Sequence, residues 1–163
     1  MSINKNSAID LIYQEGMLLD EKRFDEWLEL YTQDAVFWVP AWDDDSNEYT
    51  QNPQTEISLI YYANRDGLAD RVFRLKTGRS SASTPEFRTS HLSSNFIVQS
   101  SSSTELVMTC AWVTHSFREK KSLSYFGNSY YTLTEDNGKL KISYKKTVVK
   151  NDYIDQVLDV YQI

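Results

Sequence analysis

Residues 23–42 read RFDEWLELYTQDAVFWVPAW, and the hydrophobic period of this stretch changes half-way along it. The spacing of an amphipathic helix, i, i+3, i+4 and i+7, is occupied by Phe24, Trp27, Leu28 and Tyr31. This pattern predicts a short helix over residues 23–31. A dense run of β-branched and aromatic residues follows and ends at Pro40, which predicts a strand over residues 34–41. A helix that leads directly into a strand, both rich in large aromatic side chains, indicates an α+β core.

The other predicted elements follow the order of helices first and a meandering sheet afterwards, which is the α+β pattern. A first helix is predicted over residues 7–22, because apolar residues recur on one side, with Asn6 or Ser7 as its cap. The elements predicted beyond residue 41 are a polar loop over 42–56, a short strand over 57–63, a helix over 65–76 that Gly78 ends, a loop over 80–85, and long antiparallel strands from residue 86 onward.

The last strands carry the clearest turn signal, because Asn137-Gly138 between two alternating segments favours a tight hairpin. One face of the final strand is predicted to be buried and carries Leu140, Ile142 and Tyr144. The other face is predicted to be solvated and carries Lys139, Lys141, Ser143 and Lys145. This basic face is interpreted as a wet strand surface, with a docking surface for an acidic partner as the alternative. The two preceding strands are apolar on both faces, so they are predicted to lie centrally or beneath a partner.

Composition excludes several classes of function. The chain has 163 residues and a formal net charge of −6, which argues against a nucleic-acid-binding surface because phosphate neutralisation needs an excess of Lys and Arg. No segment approaches the roughly 20 apolar residues of a membrane helix, and the first residues lack the pattern of a secretion signal. The lone cysteine, Cys110, fits a reducing cytoplasm. We expect one cytoplasmic domain over residues 1–163, with no nucleic-acid or membrane partner.

Residues that could carry catalysis are few. The chain has two histidines, His91 and His115, and both fall in predicted strands. His91 is the candidate base, and Arg88 and several hydroxyl side chains flank it. A strand histidine that hydrogen-bonds a neighbour or another subunit is the favoured interpretation. Cys110 is interpreted as a small core residue rather than a nucleophile.

No metal-ligand pattern is evident in the sequence. The two histidines and the carboxylates lack the short spacings that bring metal ligands together on one element. The acidic run at residues 43–45 lacks the glycine and the spaced oxygen ligands of a calcium loop, and it is interpreted as solvated. From the residues alone, the chain is a well-packed domain without an assembled active site.

In their order and spacing, several segments resemble the small (β) subunit of bacterial aromatic-ring-hydroxylating dioxygenases, over nearly the whole chain. Within that family the chain is most similar to the benzoate, anthranilate and 2-halobenzoate 1,2-dioxygenase type. The matching segments are residues 15–19, 24–31, 34–40 (DAVFWVP) and 57–61 (ISLIY), Leu68 with Arg71-Val72, residues 88–91 (RTSH) leading to Ser94-Asn95, Gly127, Tyr131, and residues 145–152 (KKTVVKND).

The resemblance implies a cone-shaped α+β fold like that of nuclear transport factor 2, with N-terminal helices packed on a strongly curved, mostly antiparallel sheet. It also implies a hexamer of three large (α) and three small subunits, with contacts among the small subunits. In such an enzyme the large subunit carries a Rieske [2Fe–2S] cluster and a mononuclear Fe(II). A reductase delivers electrons from NADH, and an aromatic carboxylate is dihydroxylated with O₂.

The cysteine count now becomes informative. A Rieske centre needs two cysteine and two histidine ligands, and this chain has one cysteine, so it cannot hold that cluster alone. We therefore predict a non-catalytic assembly subunit with no metal or cofactor of its own. One alternative is a free-standing isomerase or dehydratase of the same fold that uses His91 and a nearby Asp as base. Another is a binding module with an unrelated partner. The interface candidates are Trp42, Tyr49, Tyr61, Arg88 and His91; core packing explains the aromatic ones nearly as well.

Overall fold

The computed structural model describes residues 2–78 and 83–163. The helices are α1 (Lys5–Asp20), α2 (Phe24–Glu29), α3 (Arg65–Lys76) and a final 3₁₀ helix (Val160–Gln162). The strands are β1 (Tyr31–Pro40), β2 (Trp42–Asp43), β3 (Glu48–Tyr49), β4 (Ser58–Tyr62), β5 (Arg88–Ser101), β6 (Glu105–Arg118), β7 (Lys121–Asp136) and β8 (Lys139–Val149). The predicted α+β order is confirmed, and residues 80–82 of the predicted loop lie outside the described residues.

The helix ends follow from local capping chemistry. The predicted caps of α1, Asn6 and Ser7, are wrong: the side chain of Asn4 is the cap and accepts hydrogen bonds from the backbone N–H groups of those two residues, at 2.7 and 3.4 Å. α3 has the predicted bounds, with Asn64 as its cap. Gly78 adopts a φ of +63° just beyond the end of α3, a conformation that favours glycine.

The change from helix to strand comes earlier than the hydrophobic spacing predicts. α2 ends at Glu29, and Tyr31, predicted to be helical, is the first residue of β1. The reason is tertiary: Tyr31 lies opposite Ile142 of β8, whose N–H donates to the Leu30 carbonyl at 2.8 Å. Pairing with a distant strand therefore overrides the helical spacing.

Six strands form one sheet in the order β4-β1-β8-β7-β6-β5, while β2 and β3 form a small hairpin inside the predicted polar loop. All neighbours in the large sheet are antiparallel except β1 and β8, which run parallel. The turn between β7 and β8 is the predicted tight hairpin, with φ of +52° at Asn137 and +74° at Gly138. β6 and β7 lie inside the sheet, as the apolar character of both their faces predicts.

The prediction for the faces of β8 is wrong beyond Ser143. Thr132 of β7 lies opposite Tyr144, whereas Leu133 lies opposite Ile142, so Ser143 is an extra, unpaired residue. This bulge reverses the alternation of the strand. The side chain of Lys145, predicted to be solvated, is 4 % exposed and lies inside the protein, while Tyr144 faces outward with Lys146.

The helices pack on the inner face of the sheet, and the core lies between them. Its largest fully buried side chains include Trp27, Tyr31, Phe37, Leu68 and Met108. The ring of Trp27 lies edge-on to those of Tyr31 and Phe37, with centroids 5.2 and 6.3 Å apart. Three aromatic residues of the stretch 23–42, Trp27, Tyr31 and Phe37, thus lie at the centre of the core. Among the described residues, no helix has the length and apolar character needed to cross a membrane.

We expect Gly127→Ala to destabilise the sheet. A Cβ at this position of β7 would lie 1.9 Å from the carbonyl oxygen of Val148 on β8, and backbone in a central strand has little freedom to move away. Overpacking of this kind costs about 1–3 kcal/mol, which a urea unfolding curve measures. Ser122→Ala, at an exposed position of the same strand, should stay within about 0.5 kcal/mol of the parent chain. Equal unfolding midpoints for the two variants would contradict the expectation.

Candidate functional site

A buried carboxylate lies between the helices and the inner face of the sheet. Glu15, on the apolar side of α1, is 3 % exposed. Its Oε1 accepts a hydrogen bond from Lys145 Nζ at 2.8 Å and another from the hydroxyl of Tyr31, and its Oε2 accepts one from the hydroxyl of Tyr131 at 2.8 Å. One carboxylate therefore joins α1 to β1, β7 and β8.

The electrostatics of this group keep the carboxylate ionised. Burial raises the pKa of Glu15, but the charge of Lys145 and the hydrogen bonds from Lys145, Tyr31 and Tyr131 outweigh burial, so the pKa lies below its ordinary value. Burial, together with the nearby Glu15 charge, raises the pKa of both tyrosine hydroxyls well above the usual range. At neutral pH the cluster is an ion pair with two neutral hydroxyl donors, which suits it to holding elements together rather than to moving protons.

The second polar group joins α1 to β5. His91 Nδ1 lies 2.5 Å from Asp20 Oδ1, and Asp20 also accepts hydrogen bonds from the backbone N–H of His91 at 3.0 Å and from the hydroxyl of Thr89 at 2.8 Å. Burial raises the pKa of Asp20. The hydrogen bonds from His91, the charge of His91 and the hydrogen bond from Thr89 outweigh burial, so the pKa of Asp20 lies below its ordinary value. The His–Asp pair that the isomerase or dehydratase alternative requires is therefore present.

That alternative also requires space for a substrate beside His91. The cavity at this position is lined by Glu15, Gly16, His91, Trp112 and Ile163, among others, and its volume is about 20 Å³. Ligand pockets usually measure about 300–1,000 Å³, whereas a single water needs about 10–15 Å³. A larger cavity of about 150 Å³ lies near the C-terminal ends of α1 and α3, and His91 is not among its lining residues. The geometry gives His91 no room to act on an organic substrate.

The side chains present do not fit the iron centres that the resemblance implies. His91 and His115 occupy opposite faces of the sheet: the ring of His91 lies under α1, while His115 is exposed and its Nδ1 lies 2.7 Å from Ser124 Oγ. Cys110 is buried, as predicted, and burial raises the pKa of its thiol to about 11. Within residues 2–78 and 83–163, no three His, Cys, Asp or Glu side chains converge to hold a metal ion. We therefore derive no chemical step on this chain through such a centre.

The sequence-based interface candidates lie at separate places. Trp42 is 48 % exposed, and its ring meets that of Tyr49 edge-on at 5.0 Å, while the Tyr49 hydroxyl donates to the Val149 carbonyl at 2.7 Å. Tyr61 is half-buried on the edge strand β4, and Arg88 is exposed over the ring of Phe117. The ring of His91 is 10 % exposed and faces the interior, so this position does not favour a contact with a partner. An interface role for these five residues stays a prediction.

A third polar group fixes the end of the described chain. The guanidinium of Arg71 on α3 donates two hydrogen bonds to Asp159, one of them from Nε to Oδ1 at 2.9 Å. Asp159 also caps the final 3₁₀ helix, since its Oδ1 accepts from the N–H of Val160 at 2.8 Å and its own N–H donates to Gln162 Oε1 at 2.9 Å. These bonds hold residues 158–163, all buried, against α3 and β6.

Comparison with known proteins agrees with this geometry. The sequence profile of the family described as "Ring hydroxylating beta subunit" matches residues 14–156. The chain belongs to this family. It is 51 % identical to the benzoate 1,2-dioxygenase subunit beta of Acinetobacter baylyi (strain ATCC 33305 / BD413 / ADP1) over 162 residues, which cover 99 % of this chain and 95 % of that protein. The resemblance found in the sequence is thus confirmed, and the protein is a ring-hydroxylating dioxygenase β subunit, the small subunit of an oxidoreductase.

Solved structures support the fold of this β subunit. The beta subunit of the benzoate 1,2-dioxygenase from Burkholderia mallei ATCC 23344 superposes with a TM-score of 0.84 at 43 % identity, covering 100 % of this chain and 99 % of that chain. An NTF2-like protein with a cystatin-like fold from Novosphingobium aromaticivorans superposes with a TM-score of 0.61 at 12 % identity, covering 91 % of this chain and 83 % of that chain. The predicted cone fold, helices on a curved and mostly antiparallel sheet, is confirmed.

Sequence reasoning missed the central residue of this β subunit. Glu15 falls in the apolar stripe of α1, whose other buried members are Ala8, Leu11, Ile12, Leu18 and Leu19. A charged residue in such a stripe is a signal, because buried carboxylates need a partner. The unnamed Asp beside His91 is Asp20, and nothing in the local sequence separates it from the other carboxylates.

Proposed function

We propose that this chain is the assembly subunit of a multicomponent dioxygenase that dihydroxylates a benzoate-type aromatic carboxylate with O₂ and electrons from NADH. The benzoate 1,2-dioxygenase relatives support the substrate class. In this proposal the large subunit holds the Rieske cluster and the mononuclear iron, a reductase supplies electrons, and three large and three small subunits form a hexamer. We also propose that the chain is one domain over residues 1–163 and acts in the cytoplasm, in keeping with its lone cysteine.

The filled interior is the observation that carries the proposal of a non-catalytic role. Glu15, Tyr31, Tyr131 and Lys145 satisfy one another inside the protein, and about 20 Å³ remains beside His91. A chain whose polar interior is occupied in this way can contribute to a complex as a rigid domain with surfaces that other subunits contact. Its contribution to the dioxygenase is then the positioning of large subunits.

The outer face of the sheet supports a role in assembly, and we place a subunit contact there. Leu92, Val113 and Phe126 form one row across β5, β6 and β7. Leu92 is 50 % exposed and Phe126 is 47 % exposed. A second row on the same face carries Ile97 and Tyr130, both exposed. The apolar side chains of the first row are adjacent on a water-facing sheet, which indicates a surface that a partner covers.

Co-expression with the cognate large subunit tests the proposal. We expect the pair to purify as a hexamer that contains iron and turns over benzoate with reductase and NADH, whereas this chain alone binds no stoichiometric iron and shows no turnover. Native mass spectrometry, iron analysis and oxygen uptake measure these results. Stoichiometric iron or turnover in the lone chain would overturn the non-catalytic role.

A pair of variants tests the surface separately. Phe126→Asp places a charge in the exposed row of β7 and should reduce the hexamer recovered, because a charge within an apolar contact is left without its hydration. Phe73→Asp, at a position of α3 that is 58 % exposed, is the matched control and should leave the hexamer intact. If Phe73→Asp reduces the hexamer and Phe126→Asp does not, the subunit contact lies on α3, and the assembly role is still supported.

A further inference from the structure

Three buried polar atoms converge on the small cavity beside His91. His91 Nε2, Trp112 Nε1 and Thr114 Oγ1 are buried and have no hydrogen-bond partner in the protein, and all three residues line this cavity. Thr114 is 1 % exposed, Trp112 is 8 % exposed, and the side chain of His91 is 10 % exposed. Leaving such groups unsatisfied is costly because each loses its hydrogen bonds to water, so a native interior rarely contains three of them together.

The pairing of β5 with β6 explains why the three groups meet. His91 lies directly opposite Thr114, and both side chains point to the inner face of the sheet. Trp112 lies two residues before Thr114 on β6, so it occupies the neighbouring inward position. The helix side of the space is closed by Gly16 of α1, whose backbone approaches so closely that a Cβ there would lie 2.8 Å from the Cβ of His91.

The donors and acceptors around the cavity are complementary to one water molecule. The Asp20 carboxylate can only accept, so the close contact at 2.5 Å places a proton on His91 Nδ1 and leaves Nε2 as an acceptor in the neutral ring. Trp112 Nε1 can only donate, and the hydroxyl of Thr114 can do either. Water donates to Nε2, accepts from Nε1–H and bonds the hydroxyl, and about 20 Å³ holds one such molecule.

We propose that this cavity binds a single ordered water, held by His91 Nε2, Trp112 Nε1 and Thr114 Oγ1, which fixes His91 in the tautomer protonated on Nδ1. The water completes a chain of hydrogen bonds from Asp20, whose side chain is 25 % exposed, through His91 to the inner face of β6. The water joins β5 to β6, and the contact of His91 with Asp20 extends this link to α1.

A high-resolution crystal structure of the full chain and ¹⁵N NMR of the histidine ring at mildly alkaline pH test the proposal. We expect one density peak at about 2.7–3.2 Å from the three atoms, an Nδ1 resonance typical of N–H, and an Nε2 resonance typical of a hydrogen-bonded acceptor. An empty cavity, a side-chain rearrangement that joins the three atoms directly, or a proton on Nε2 without one on Nδ1 would overturn it.

Matched variants on β6 separate the water from general packing effects. Thr114→Val removes one partner with little change in volume and should abolish the peak or lower its occupancy, and shift the Nε2 resonance toward that of an unbonded nitrogen. Thr109→Val, on the outer face of the same strand, should change neither readout. If Thr114→Val does not fold, Trp112→Phe removes the indole N–H and should cause the same losses. Unchanged density and resonance in a folded variant would count against the site.

Discussion

Replacing Lys145 with methionine is expected to lower the free energy of unfolding by about 3–5 kcal/mol, because it leaves the Glu15 carboxylate buried without its counter-charge. Methionine fills nearly the volume of the lysine stem and keeps the contact with the rings of Phe37 and Tyr131, over which the Lys145 ammonium lies at 5.3 and 5.5 Å. Urea unfolding monitored by tryptophan fluorescence measures the loss. The substitution therefore tests the charge rather than the packing.

The neighbouring lysine supplies a matched control. Lys146 faces outward, with its ammonium 4.7 Å from the centroid of the Trp38 ring, so Lys146→Met should cost only about 0.5–1 kcal/mol. Restoring neutrality with Glu15→Gln in the Lys145→Met chain should recover part of the stability, since the amide oxygen still accepts from one of the hydroxyls of Tyr31 and Tyr131 and the amide NH2 can donate to the other. Equal losses for the two single lysine variants would contradict the buried ion pair.

The pH dependence of the Lys145→Met effect follows from the direction of the Glu15 pKa. In the parent chain the folded pKa lies below the ordinary value of 4.5, so the stability that ionisation contributes is complete above that value and is lost as the pH falls through the folded pKa. In the variant, burial raises the pKa of Glu15, and stability falls as the pH rises above the ordinary value. The difference in the free energy of unfolding between the parent chain and the Lys145→Met chain is therefore largest at neutral pH, and it becomes smaller as the pH falls.

The second large effect is expected for Arg71→Met, which leaves the side chain of Asp159, 4 % exposed, without its guanidinium. Breaking a buried pair in this way costs about 3–5 kcal/mol. Asp159 also caps the final 3₁₀ helix, so the loss should concentrate in residues 158–163. Hydrogen exchange followed by mass spectrometry should show faster exchange there before the core strands respond.

Arg74 provides the control on the same helix. Its side chain is exposed one turn further along α3, and Arg74→Met should change stability by no more than about 0.5 kcal/mol. The double variant Arg71→Met with Asp159→Asn removes the unpaired charge and should recover part of the loss. Arg71→Met could instead raise hydrogen exchange equally along the whole chain, with no preference for residues 158–163. That result would show that the Arg71–Asp159 pair does not anchor this segment.

Much of the fold was predictable because its signals are local. Residues close together in the chain decide the bounds of α3 and the hairpin at Asn137-Gly138. They also decide that β6 and β7 lie inside the sheet and not at its edges. The family resemblance likewise rests on short segments in a fixed order. The misplaced cap of α1 and the early start of β1 at Tyr31 are errors at element ends, where a neighbouring side chain or a distant strand decides the boundary.

The candidate site was less predictable, because its contacts join distant parts of the chain. Glu15 and Lys145 are 130 positions apart, and Asp20 and His91 are 71 apart. Local patterns assign each residue to a face of its own element and carry no information about which other element covers that face. The cysteine count limited the chemistry, but it did not show what fills the interior.

The amino-acid sequence by itself determined the α+β class, the order of the elements, the family, and the inability of one cysteine to hold a Rieske cluster. Only the tertiary structure decided that Lys145 is an interior residue. The physical reason is the bulge at Ser143: alternation along a strand has a period of two, so one extra residue moves every later side chain to the other face. Lys145 then enters the core, where the carboxylate of Glu15 on α1 neutralises it.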